Sequence, residues 1–236
     1  MNLAHRLCLI LALVLLPNAA QASADRIVEQ SARTAVAAPV YGPFRVLSSD
    51  VAALDGITDS ASPAQFAQLL KENPSISVLE MHDAPGTHDD AANLALGRAI
   101  RAAGIATRVP DGGSVRSGAV ELFLAGAERQ IDDGAEFAVH SWADEDGLGP
   151  RDYPETAPEN TKYLDYYREM GMADDVARAF YAMTNSAPFD GALWLDANDM
   201  RAWLAPPPAP AGAPAHSPAP TIAYGALPLD LGAALQ

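Results

Sequence analysis

The chain has 236 residues, 49% of them hydrophobic, and carries 30 acidic against 15 Lys and Arg residues for a formal charge of −15. That apolar content is enough for about one domain with a real core. Its acidity excludes nucleic acid or an anionic lipid surface as a charge-held partner, and a single cysteine excludes a disulfide framework.

In chain order, Arg6 precedes an unbroken apolar run from Leu7 to Leu16 that ends at Pro17, followed by the small-x-small sequences Ala20-Gln21-Ala22 and Ala22-Ser23-Ala24. The run is too short to span a bilayer, so residues 1–24 are expected to be a removable secretory signal. Cys8 lies inside it with no lipoprotein-type small residues before it and leaves with it. The mature chain is then expected to be exported, periplasmic or secreted, cysteine-free and without a stable membrane span. Residues 25–39 are Ala-rich and read as a flexible lead-in.

Regular patterning begins at about Val40. Ser62-Pro63-Ala64-Gln65 has the form of a capped helix start, with Phe66, Leu69 and Leu70 at helical spacing behind it. Ser75 to Met81 alternates as a strand. Asp89 to Ala103 is predicted to be a helix closed by Gly104, and Ile105 to Val109 a short strand. After Gly112-Gly113 come an apolar helix from about Ser117 to Ala125 and a strand from Ala135 to Trp142. An acidic loop covers roughly residues 143–158, and two amphipathic helices carry Tyr163, Leu164, Tyr167 and Met170, then Val176, Phe180 and Tyr181. Asp196 is placed to cap a last helix ending near Leu204. From Pro206 to Pro220 the chain is Pro and Ala, a stiff tract that packs no core, so residues 205–220 read as a linker. Residues 221–236 form a short apolar tail. Alternating strands and helices give an α/β fold class.

Four stretches carry a sharper pattern. Ile76 to Met81 runs into Ala84-Pro85-Gly86. LGRAIRAAGIATRV follows at residues 96–109, GGSVRSGAVELFLAG at 112–126 and FAVHSW at 137–142. This combination resembles the ClpP/crotonase superfamily, most closely the exported bacterial ClpP-like proteins. There a strand leads to a Ser-Pro-Gly-Gly turn, a helix, a Cys-Ala-Ser-Ala-Cys element opening an apolar helix, and a strand ending in Val-His-Ser. The resemblance implies a single-domain ClpP/crotonase-like repeated ββα superhelix over residues 40–204. It further implies a serine hydrolase acting on peptide or protein substrates and a homo-oligomer; the isolated glycines make no dinucleotide fingerprint, so no organic cofactor is expected.

Position by position, the resemblance puts Ser117 on the nucleophilic serine. A serine at a helix start faces free amides and the positive helix end, which suit an oxygen that becomes negative when a carbonyl is attacked. The Gly118 amide then becomes one oxyanion donor and the Gly86 amide the other. His140 falls on the general base, since a neutral imidazole takes a hydroxyl proton near pH 7 and returns it to the leaving group. For the acid behind the imidazole, Asp190 precedes Trp194-Leu195 as the family's acid precedes an aromatic-Leu pair. Asp196 is the alternative, with an N-cap role competing for it.

The chain also departs from the pattern. Thr87 or His88 takes the place of the second glycine, where a positive φ would make a side chain costly. Val115 and Ala119 replace both cysteines. Arg116 stands beside the serine, where it either obstructs the site or binds an acidic substrate. These departures motivate a rival in another class: a catalytically silent ClpP-fold protein that binds or assembles in the cell envelope.

Among the remaining residues, His82, Asp83, His88, Asp89 and Asp90 are of a type that suits zinc or manganese, but turns and helix starts collect Asp for capping, and no metal is expected. Glu121 interrupts an apolar helix and is expected to pair with Arg98 or Arg101. Lys71 and Lys162 are the only lysines, and neither matches the base of a Ser-Lys dyad. No phosphate-cradling glycine loop is present.

Overall fold

A computed structural model describes residues 38–204, so the secretory signal, most of the lead-in, the Pro/Ala linker and the apolar tail lie outside the described residues. The strands are β1 (Val40–Tyr41), β2 (Phe44–Val46), β3 (Val51–Leu54), β4 (Val78–Met81), β5 (Asp83–Ala84), β6 (Ala106–Val109), β7 (Ser114–Arg116), β8 (Arg129–Ile131), β9 (Glu136–Val139) and β10 (Leu193–Asp196). The helices are α1 (Ser62–Glu72), α2 (Asp90–Ala102), α3 (Ala119–Leu124), α4 (Pro158–Glu169), α5 (Asp174–Thr184) and α6 (Ala197–Leu204).

Two sheets share the work. The larger has strand order β1-β2-β3-β4-β6-β8 and the smaller β10-β9-β7-β5. In the large sheet β3, β4, β6 and β8 are parallel, and in the small one β5, β7 and β9 are parallel. The chain therefore repeats one unit: a strand in the large sheet, a strand in the small sheet, then a helix, as β4-β5-α2 and β6-β7-α3, and then β8-β9. Each repeat adds one strand to both sheets at once, which is a ββα superhelix. β3 and α1 form a shortened first turn, in which Thr58 makes a single parallel bridge to Thr87 in place of a strand.

Local chemistry explains most element ends. Asp89 caps α2 by accepting the Ala92 amide at 2.9 Å, and Gly104, with φ 68°, closes it. Asp196 accepts the amides of Asn198 and Asp199 at 2.8 and 2.9 Å and so caps α6. The capped start expected at Ser62 differs: Ser62 is already helical, and its hydroxyl turns back to accept the Asp59 amide at 2.9 Å. The core is continuous between the large sheet and α2–α5, with Leu79, Met81, Leu96, Ile100, Leu122, Phe123, Phe137 and Phe180 fully enclosed. Gly97 has a packing reason, since a Cβ there would come within 1.8 Å of the Tyr166 hydroxyl.

At the surface, Arg98 holds Glu169 through two nitrogens at 2.5 and 3.2 Å, with both side chains nearly half exposed. Solvent screening limits such a pair, so Glu169→Gln is expected to cost under about 1 kcal/mol in urea unfolding.

Candidate active site

The small sheet positions the site. β5, β7 and β9 are adjacent parallel strands about 4.8 Å apart, and their C-terminal ends lead in order to Gly86, Ser117 and His140. The mouth at the carboxyl ends of parallel strands is where α/β sheets place ligands. The register continues past the strands, because the Ser117 amide donates to the Ala138 carbonyl at 2.8 Å, two residues before His140.

Ser117 lies in the turn between β7 and α3, ahead of the helix in which the sequence places it. Its φ is 50°, and it is the one non-glycine with positive φ among the described residues. That conformation costs on the order of 1–3 kcal/mol and persists only where the surroundings enforce it. Gly86 presses against it: with φ 130°, a Cβ there would lie 3.0 Å from Ser117 Cβ and 3.3 Å from Oγ. Neither Thr87 nor His88 has a positive φ, so the glycine requirement falls on Gly86 alone and the side chain at 87 costs nothing in backbone strain. Thr87 instead packs its methyl over Gly118, where a Cβ would come within 2.7 Å.

Ser117, Gly118 and His140 line one cavity of about 50 Å³, together with Asp90, Glu121, Tyr163, Tyr167 and Tyr181. Ser117 and His140 also face a wider cleft of about 600 Å³ in front of it, flanked by Asp89, Asp144, Glu145, Lys162 and Phe189. Ser117 Oγ and the His140 ring make no hydrogen bond to each other among the bonds of the described residues. The imidazole is held by its Nδ1, 2.9 Å from the Ser141 carbonyl, and by the edge of Phe189, with ring centroids 5.4 Å apart.

Asp190 does not reach the imidazole. It is exposed in the turn before β10 and pairs with no group among the described residues, while its neighbour Phe189 takes the place beside His140. Both residues lie in the turn before β10, and the edge-on contact with the ring is made by Phe189, not by the acid. Asp196 is occupied as the α6 cap.

Arg116 neither blocks the site nor faces it. It spans the small sheet, donating to Ser114 Oγ and to Asp83 Oδ1, each at 2.6 Å. The other residues of the His/Asp cluster are divided among separate tasks: His82 contacts Glu80 at 3.1 Å, Asp89 caps α2, and Asp90 accepts the Tyr163 hydroxyl at 2.6 Å. Among the described residues no group of three His, Cys, Asp or Glu is placed to hold a metal ion. Lys162, set aside on sequence grounds, does arrive at the cleft, with its ammonium over the rings of Tyr163 (4.9 Å) and Trp142 (5.7 Å).

Sequence reasoning missed two residues behind the site. Asn93 donates from Nδ2 to the Gly118 carbonyl at 2.6 Å and accepts the Thr58 hydroxyl at 3.0 Å; that hydroxyl also points at the Gly86 carbonyl, 3.2 Å away. Both side chains are buried, and together they tie the Gly86 turn to the Ser117-Gly118 turn. The signal was present, because Asn93 falls one turn before Leu96 and Gly97 on the apolar stripe of α2.

Glu121 also differs from expectation. Arg98 is committed to Glu169, and Arg101 donates to the carbonyls of Gly126 and Met170. The Glu121 carboxylate instead accepts the Tyr167 hydroxyl at 2.7 Å. Burial lifts it from the ordinary 4.5 to about 7, with the Tyr167 hydrogen bond pulling the other way. The folded chain thus holds this proton more tightly than the unfolded chain. The stability it contributes is complete below pH 4.5 and is lost as pH rises through about 7. Glu121→Gln is expected to be more stable than wild type by about 2 kcal/mol in urea unfolding above neutrality and nearly equal to it in acid.

No family model and no curated protein matches the chain, but solved structures do. A lysine-to-alanine variant of the 1510-N membrane-bound stomatin-specific protease, in complex with a substrate peptide, is 17% identical over 67% of this chain and 74% of that chain, with a TM-score of 0.41. A serine-to-alanine variant of the same protease is 16% identical over 67% of this chain and 78% of that chain, with a TM-score of 0.41. An Asn-to-Asp variant of ClpP1 from Listeria monocytogenes is 16% identical over 66% of this chain and 87% of that chain, with a TM-score of 0.46. The fold itself rests on the paired sheets and the ββα repeat described above, which make the chain an α/β superhelix over the described residues.

Proposed function

We propose that the protein is an exported serine hydrolase acting on peptide bonds, with Ser117 as nucleophile and His140 as general base. The observation that carries this reading is the backbone of Ser117: a serine held at φ 50° in a strand-turn-helix, with a glycine turn pressed against its Oγ. A strained strand-to-helix turn serves to expose a nucleophile. In the reaction Oγ gives its proton to His140 as it bonds to the substrate carbonyl carbon. The carbonyl oxygen gains the negative charge and is met by the Gly118 and Gly86 amides, neither of which donates to another described group. When the C–N bond breaks, the proton passes from His140 to the leaving amine. Export is supported by the charged and apolar N-terminal run, and a homo-oligomer by the resemblance given above.

A fluorophosphonate probe tests the reading directly. The full chain is expected to label at one site, and Ser117→Ala to abolish the label. His140→Gln is expected to slow it at least about a hundredfold, whereas Lys162→Met is expected to leave it within a few-fold; the reverse order would make Lys162 the base. One observation favours the silent binding domain instead, namely the exposed Asp190, which leaves His140 without the expected acid. A folded chain that takes no label, and binds peptide equally well as wild type and as Ser117→Ala, would establish that rival.

A further inference from the structure

One buried acid has no part in the chemistry so far. Glu121 stands one helical turn beyond Ser117, and a helical side chain leans back toward the preceding turn, so its carboxyl lies beneath the Ser117 turn. There it lines the small cavity with Ser117, Gly118 and His140. The titratable groups that face it from the surrounding elements are Asp90 on α2, Tyr163 and Tyr167 on α4, Tyr181 on α5, and His140 after β9. Asp90 is engaged by the Tyr163 hydroxyl and Tyr167 by Glu121 itself. Among these lining residues, His140 alone can carry positive charge.

A triad acid performs two jobs: it fixes the tautomer of the base, and it offsets the charge the imidazole gains. The backbone performs the first one here. A carbonyl can only accept, so the 2.9 Å contact to Ser141 puts the hydrogen on His140 Nδ1 and leaves Nε2 free to take a proton. The second job requires a negative charge in the same enclosure; Asp190 is out in solvent, and of the two lining carboxyls Asp90 also faces the open cleft, where solvent screens it, whereas Glu121 is enclosed.

We propose, resting on the serine-hydrolase reading above, that Glu121 is a positioning residue whose carboxylate offsets the His140 imidazolium, so that the work of a triad acid is divided between the Ser141 carbonyl and Glu121. Glu121 exchanges no proton with substrate. The proton from Ser117 Oγ goes to His140 Nε2 and on to the leaving group, while Glu121 acts through charge in a poorly solvated cavity where charge counts for more than in water. Because the carboxyl titrates near pH 7, the reactivity of Ser117 is expected to rise as pH climbs through neutrality.

The test has two arms, both on the full chain. In the first, the Glu121 carboxyl is titrated by carbon-13 NMR of glutamate-labelled protein, with Glu121→Gln assigning the signal. Its midpoint is expected to rise in His140→Gln, since the carboxylate then loses the one lining neighbour able to take up positive charge beside it. In the second, the rate of fluorophosphonate labelling of Ser117 is followed from acid to alkaline pH. Glu121→Gln is expected to label about tenfold more slowly above neutrality and to show its rise at a different midpoint, because the carboxyl no longer contributes to it, with Glu121→Asp restoring both. A midpoint indifferent to His140→Gln overturns the proposal, as does a Glu121→Gln chain with the wild-type rate and pH profile. A midpoint that moves in a chain that never labels upholds the charge pairing and overturns the hydrolase reading alone. Should Glu121→Gln fail to fold, Tyr167→Phe removes the hydrogen bond that lowers the Glu121 pKa. Its midpoint and its labelling profile are then expected to move to higher pH together, and a profile that stays put sinks the idea.

Discussion

Gly86→Ala is expected to slow fluorophosphonate labelling of Ser117 by at least about a hundredfold while the chain remains folded, because an oxyanion donor displaced from its place typically costs 10²–10³ in rate. Two demands meet at this position. At φ 130° an L side chain is strained whatever space surrounds it, and the added Cβ would stand 3.0 Å from Ser117 Cβ and 3.3 Å from Oγ. The chain has two ways to relax. Either the Gly86 peptide rotates toward negative φ, which carries its amide away from the oxyanion position, or Ser117 gives way and its hydroxyl leaves the line between substrate carbonyl and His140. Both end at the chemistry. Gly104→Ala is the control, since Gly104 also has positive φ (68°) but nothing within 4 Å of its would-be Cβ. That variant is expected to lose stability to strain and to label at the wild-type rate. A stable Gly86→Ala protein that labels like wild type would mean the Gly86 turn has no share in the reaction.

The sequence made some parts of this arrangement readable, for physical reasons that particular residues illustrate. α2 could be read from end to end because a capping Asp89, an apolar stripe and a closing Gly104 act locally. Asp196 as a cap was readable for the same reason. β5 and β7 were not, because strands of two and three residues are too short to show any alternation; yet these are the strands that bring Gly86 beside Ser117. The partners of charged residues were also hidden. Arg98, Arg101 and Glu121 lie near one another along the chain, but α4 supplies Glu169 to Arg98 across 71 residues and Tyr167 to Glu121 across 46. Asp190 shows the limit of matching by position: a spacing that looks right along the chain does not say which of two neighbouring side chains, Phe189 or Asp190, meets the imidazole.

Asn93→Ala is expected to lower stability by about 3 kcal/mol in urea unfolding, more than an ordinary helix substitution, because it strands polar groups as well as emptying space. The Gly118 carbonyl loses the 2.6 Å donor it has from Asn93, and the Thr58 hydroxyl is left with its longer contact to Gly86. Asn93 and Thr58 are both buried, so water reaches neither group without opening the packing of α2 against α1 and α3. A double-mutant cycle separates the roles. If the two side chains act as one strut, Thr58→Val and Asn93→Leu are each destabilising but together cost less than their sum, since removing both members of a buried hydrogen bond leaves fewer stranded groups than removing one. The same strut joins the two turns that present the Gly86 and Gly118 amides, so the loss in labelling rate is expected to exceed what the loss of folded protein explains. That excess, measured where every variant is fully folded, distinguishes a residue that aligns the site from one that merely fills the core. Equal labelling per folded molecule in wild type and Asn93→Ala would assign Asn93 to stability alone.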